Sequence, residues 1–164
     1  MKKYLIPILA VLILGSSIVG CGNSERDEAV AFYKGAYPIA KEIRDISDEW
    51  NAFLKTESRA NPLIVISVCQ KYRARLELLQ QDLSYLYAPA PIRQLKNNLA
   101  LAISTEIEAF LLGESCARVP EFASCNKADE KILELNRLIM VLADEWADGL
   151  SHYRIKPSEI LPKS

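Results

Sequence analysis

The sequence predicts an all-α protein, an antiparallel up-down-up-down four-helix bundle that follows an N-terminal signal segment. Three observations lead there. After Ser24, apolar residues recur at alternating spacings of three and four, the period of one helix face. No segment alternates with period two for long enough to make a strand. Prolines, asparagines and small residues cut the periodic region into four pieces, and short connections between the first three make neighbours antiparallel.

The first helix, about residues 25–57, carries a seam through Ala29, Phe32, Ala36, Ile39, Ile43, Ile46, Trp50 and Phe53. Ser24 with Asp27 resembles a capping box at its start. Pro38 removes one backbone hydrogen bond, but the seam stays in phase across it, which predicts a kink rather than a break. The second helix, about 62–87, places Val65, Cys69, Tyr72, Leu76, Leu79, Leu83 and Leu86 on one face, with Asn61 as N-cap and Pro62 at N1. The Ala-Pro-Ala-Pro run at 88–91 stops it, because a residue before proline avoids the α region. The third, about 91–112, carries Ile92, Leu95, Leu99, Ile103, Ile107 and Phe110 and is expected to end at Gly113. The fourth, about 126–154, carries Ala128, Ile132, Leu135, Ile139, Leu142, Trp146 and Tyr153, with Asn126 as cap. The bundle then occupies 25–155, and residues 156–164 read as a loose C-terminal tail.

The first twenty residues follow other rules. Lys2 and Lys3 precede a charge-free apolar run. Its core from Tyr4 to Leu14 is short for a spanning helix, which needs about 20 residues, and Pro7, Gly15, Ser16 and Ser17 interrupt it. A charged start, an apolar stretch and small residues before a cut describe an export signal. The cut has a more specific form. Ile18, Val19, Gly20 and Cys21 resemble the lipobox of bacterial lipoproteins, in which aliphatic and small residues precede an invariant cysteine; Val19 stands where Ala or Ser is usual. The resemblance covers residues 1–21 and implies removal of 1–20, a diacylglycerol on the Cys21 sulfur and acylation, palmitate for example, of the new amino group. Two or three acyl chains hold a protein to a bilayer durably where one does not. The expected location is outside the cytoplasm, lipid-anchored to a bacterial membrane. By the family's sorting rule, Gly22 rather than Asp after the cysteine implies the outer membrane where there are two, and otherwise the outer face of the cytoplasmic membrane.

Without Lys2 and Lys3 the chain keeps 18 basic residues against 21 acidic ones, a net charge of −3. No basic patch stands out, which argues against nucleic acid and anionic lipid as partners of the domain. Residues 21–24 form a short tether, so the bundle sits directly on its membrane. The start of the first helix, the 88–91 turn and the end of the fourth helix become proximal; the turn near 56–61 and the 113–125 connection become distal.

That distal connection holds Cys116 and Cys125, which can close a small ring in an oxidising compartment. Cys69 lies on a core seam near the same end, so a bridge from Cys69 into the loop stays open beside a free buried thiol. Leu63 to Val68 are more apolar than one buried face requires. Either Val119 and Phe122 cover the excess, or Ile64 and Ile66 join Arg118, Val119, Pro120 and Phe122 in a partner-binding patch. Tyr33, Tyr37, Tyr85, Tyr87 and Tyr153 map to the proximal end, where they either pack the bundle base or line a ligand cleft.

Catalytic chemistry has little to stand on. His152 is the only histidine and has no Glu or Asp three positions away, so the Glu–His pairs of di-iron bundles are missing. No C-x-x-C-H, G-x-S-x-G, phosphate-binding glycine loop or H-E-x-x-H occurs. Glu106 and Glu108 read as parts of a solvated face, and no cofactor or metal is expected. The mature domain looks like the small helical lipoproteins of bacterial envelopes. The expected function is a membrane-anchored, non-enzymatic interaction module with an envelope protein as partner; the alternative is a small-ligand or cofactor carrier using the tyrosine-rich cleft.

Overall fold

In the computed structural model the backbone is described for residues 5–56, 61–119 and 122–161, and side chains for 24–56, 61–119 and 124–161. Within these the protein is all-α, without a strand. Helices α1 (Leu5–Thr56), α2 (Pro62–Tyr85), α3 (Arg93–Arg118) and α4 (Phe122–His152) are substantial; a 3₁₀ turn, Ala90–Ile92, precedes α3, and a single turn, α5 (Pro157–Ile160), closes the chain.

α1 starts far upstream of residue 25. The apolar run before Cys21 is itself compatible with helix, so the backbone enters the bundle already helical and Ser24 does not cap it. The Ser24 hydroxyl turns to Glu28 instead, at 3.5 Å. The helix continues through Pro38 to Thr56. α2 begins as its sequence dictates: the Asn61 side chain accepts from the Leu63 N–H at 2.9 Å, and Pro62, which lacks an N–H, stands at the first position. At the next connection Lys96 ties down the end of α2, donating to the Leu86 carbonyl at 2.5 Å.

Cross-helix contacts set the packing. Between α1 and α2, the Arg75 guanidinium bridges Glu42 (2.7 Å) and Glu49 (2.7 Å). Between α2 and α3, Gln70 reaches Glu114 (2.9 Å) and Gln80 reaches Ser104 (3.0 Å). Between α3 and α4, Asn98 meets Glu145 (2.7 Å) and Lys131 meets Glu108 (3.0 Å). α1 meets α4 where the Tyr33 ring stands edge-on to Trp146, centroids 4.9 Å apart. Towards its other end, Trp50 of α1 packs on Tyr72 of α2 and Phe110 of α3.

That lean explains the burial pattern. The seams of α1, α2 and α3 are buried or half-buried throughout. On α4, only Ala128 and Leu135 of the helical seam positions are fully buried, and Ile139 is 40% exposed. α1 turns its aromatic end towards α2 and α3 and leaves this stretch of α4 uncovered.

Besides the start of α1, three further boundaries differ from the sequence expectation. α3 runs past Gly113 to Arg118, and α4 begins at Phe122 rather than at Asn126, so the 113–125 connection is mostly helix. Cys116 and Cys125 are bonded, Cα atoms 5.0 Å apart, which splices the end of α3 to the start of α4. The bond therefore joins the last turn of α3 to the first turn of α4. The tail up to Leu161 is also ordered into the fold. Arg154 takes a left-handed φ of 52° just after the end of α4, and α5 then returns to α1 at Arg26. Ile155 and Ile160 are buried, Glu159 accepts from the Lys156 N–H (2.8 Å), and Arg26 pairs with Glu159 (2.7 Å). Residues 162–164 lie outside the described residues.

Candidate functional site

At the α3–α4 junction the expected partner-binding residues divide. Leu63 (72%), Ile64 (49%) and Val119 (56%) are exposed. Ile66 is half-buried. Pro120 and the Phe122 side chain lie outside the described residues, as do residues 57–60. Arg118 does not hang free. Its guanidinium donates to Glu114 at 2.6 Å, and Arg73 (3.1 Å) and Gln70 complete the cluster. Arg118 and Gln70, with Arg73 behind them, hold the Glu114 carboxyl below the usual carboxylate range. Cys69 is a free, buried thiol; burial, with Glu114 nearby, pushes it up to about 11, so it is a poor nucleophile.

The five tyrosines do not share one cleft. Tyr33 is fully buried, and burial, then Tyr153, pushes its phenol up to about 12. Tyr153 is buried and donates to Glu25 at 3.1 Å; burial, then Glu25, pushes it up to about 12. Tyr37 is half-buried, while Tyr85 and Tyr87 stand exposed. Tyr85 lines an open groove of about 550 Å³ with Gly35, Pro38, Leu79 and Leu86, and Glu42 on that groove is already tied to Arg75.

A second groove, about 340 Å³, lies between the 3₁₀ turn with the start of α3 and the end of α4. Pro91, Ile92 and Leu95 give it an apolar side; Glu145, Asp148 and His152, at helical spacing on α4, give it a polar one. The i, i+3, i+7 pattern of these three was visible in the sequence, but the apolar wall comes from another helix and was not. Among the described residues no group of three His, Cys, Asp or Glu side chains could hold a metal ion.

Glu106 is the largest departure from the sequence reading. It is 3% exposed, not part of a solvated face. One oxygen accepts from the Ser47 hydroxyl at 3.0 Å; the other is buried without a hydrogen-bond partner among the described residues. Burial pushes its carboxyl up to about 7 against the opposing pull of Ser47. Its neighbour Glu108, by contrast, pairs with Lys131 at the surface.

Among the described residues no helix is long and apolar enough to cross a membrane. The Cys21 side chain and the lipobox side chains lie outside the described residues. Protein-family models, curated proteins and solved structures contain no match to this chain. Among the described residues the fold is all-α, with one disulfide, Cys116–Cys125.

Proposed function

We propose that the protein is an exported lipoprotein, anchored through Cys21, whose helices form an up-down-up-down bundle and serve as a non-enzymatic interaction module. Support for the topology comes from the paired positions, which run in opposite directions along neighbouring helices: 70 with 114 and 80 with 104, then 98 with 145 and 108 with 131. In that order, the α1–α2 turn and the α3–α4 junction lie at the end away from Cys21. The observation that carries the interaction reading is the exposure of Leu63, Ile64 and Val119 at this far end, where an outside partner arrives first. Arg118, held by Glu114, adds a fixed charge beside them.

Two experiments test the reading. Fatty-acid labelling should mark the wild type and not Cys21→Ser, because lipid attachment needs the thiol; equal label in both would remove the anchor. A photo-crosslinker at Leu63 should give one discrete adduct in the native envelope, lost on Ile64→Asp. The same crosslinker at Gln94 should not give it. An adduct indifferent to Ile64→Asp would place the partner elsewhere. The carrier reading has less behind it, since the tyrosines are spread between core and surface.

A further inference from the structure

A strip along α4 stays open to solvent. Met140 (71% exposed) and Leu133 (58%) are the most exposed large apolar side chains described on this helix. Asn136, Ala143 and Ala147, exposed as well, continue the same strip at spacings of three and four, with Asn136 its single polar member. Two different edges flank it. On one stand Arg137 and Asp144, seven residues apart and both exposed. The ion pairs of α4 among the described residues run through Lys131, to Glu108 and Glu134, and neither Arg137 nor Asp144 takes part. On the other edge stand Ile132, Ile139 and Trp146, again at intervals of seven; Ile139 is exposed and the other two half-buried.

A strip spaced three and four is the surface that packs on a second helix, and the groups on its edges select direction and register. In an antiparallel pair of identical strips each edge meets its own copy. Setting Met140 on Met140 of the second copy puts Leu133 against Ala147, a large side chain facing a small one. The same register brings Arg137 beside Asp144 of the second copy, and Ile132 beside Trp146 on the far edge. A two-fold axis makes each of these contacts twice, so the face is complementary to itself. A parallel pair sets the charged edge against the apolar one and leaves Arg137 and Asp144 without partners. The small Ala143 and Ala147 let the two helices approach closely.

We propose that α4 packs antiparallel on α4 of a second copy of this chain, centred on Met140, with two Arg137–Asp144 ion pairs along one edge. The assignment rests neither on Cys21 nor on the far-end patch. The starts of the two α1 helices fall at opposite ends of the pair, so two lipid-anchored copies lie along a bilayer instead of standing on it.

Sedimentation of the full chain in a nonionic detergent should show a reversible dimer. Arg137→Asp and Asp144→Arg should each weaken it roughly tenfold, because each sets like charges together twice, and the double variant should restore it. Met140→Lys should abolish the dimer, with circular dichroism showing that the helices persist. Direction is read by mixing heavy- and light-isotope copies that carry a photo-crosslinker at Leu133. The inter-copy adduct should fall in the tryptic peptide 138–154. An adduct in 132–137 instead would mean a parallel pair. That outcome, a monomer throughout the concentration series, or a dimer indifferent to the charge reversals would each overturn the assignment.

Discussion

Tyr33 of α1 sets its phenolic oxygen in the space that a side chain on Gly149 of α4 would occupy, with Ile92 closing the third side. α1 and α4 meet here, and the contact needs glycine for lack of volume rather than for backbone freedom. Elsewhere in a helix Gly→Ala gains about 1 kcal/mol. Here overpacking costs typically 1–3 kcal/mol and opposes that gain. Gly149→Ala is expected to lower the melting temperature. Tyr33→Phe removes the obstructing oxygen and should recover part of the loss, so the double variant should be more stable than the sum of the singles. Thermal melts of the four proteins check this; simple additivity would mean that the two residues do not meet.

Glu106 predicts a pH dependence with a definite sign. Its folded-state carboxyl holds a proton up to about 7, while in the unfolded chain it ionises near 4.5. Between those values the folded state binds more protons than the unfolded one, so stability falls as pH rises through this window. Below it the contribution is fully present, and above it a loss of about 3 kcal/mol has been incurred. Glu49, Glu114 and Glu159 are shifted downward and act in the acid range below this window. Denaturant melts from pH 5 to 8 should show the slope in the wild type and a flatter profile in Glu106→Gln. A wild-type profile already flat would show that Glu106 is solvated.

The Cys116–Cys125 bond closes a short loop. In the chain-entropy account such a loop is worth roughly 2.5–3 kcal/mol. Cys116→Ser with Cys125→Ser should lower stability by an amount of that order. The α2 seam should stay packed, because Cys69 is not part of the bridge. Alkylation under native conditions should modify none of Cys69, Cys116 and Cys125 in the oxidised protein. Rapid labelling of Cys69 would contradict its burial.

Much of this fold was legible in the apolar period. The seams through Phe32, Ile43, Leu76, Leu83, Leu99 and Ile103 coincide with buried side chains, because a stripe at alternating three and four has one physical outcome in water. Ile139 shows the limit. Its spacing put it on a core seam, but it is exposed, because burial depends on which neighbouring helix covers it and no local pattern carries that. The ends failed for another reason. Gly113 and Asn126 have the chemistry of helix ends, yet α3 and α4 run through them, and the turns beyond are joined by Cys116 and Cys125. α5 could have been found: Pro157 at N1 with Glu159 two residues on is a helix start, and Ile155 and Ile160 flank it. Glu106 was partly legible, since it stands three residues after Ile103 and four before Phe110 on the apolar face of α3, but the Ser47 that meets it belongs to another helix. The groove at Glu145 was half legible, its acidic wall local and its apolar wall remote.

The grip of α5 on α1 has a bearing on how the chain reaches this structure. Arg26 and Glu159 meet across 133 residues, while α2, α3 and α4 are joined by short connections. Closing a long loop late is entropically cheaper once intervening hairpins have shortened it. The helical hairpins of α2–α3 and α3–α4 are therefore expected to assemble first, with α1 docking on them and the terminal clasp forming last. Ile160→Ala, which strips the buried anchor of the clasp and costs on the order of 2 kcal/mol or more, should then speed unfolding and leave the refolding rate nearly unchanged. Leu99→Ala, in the middle of α3, should slow refolding. Equal effects of both on refolding would mean that the ends come together early.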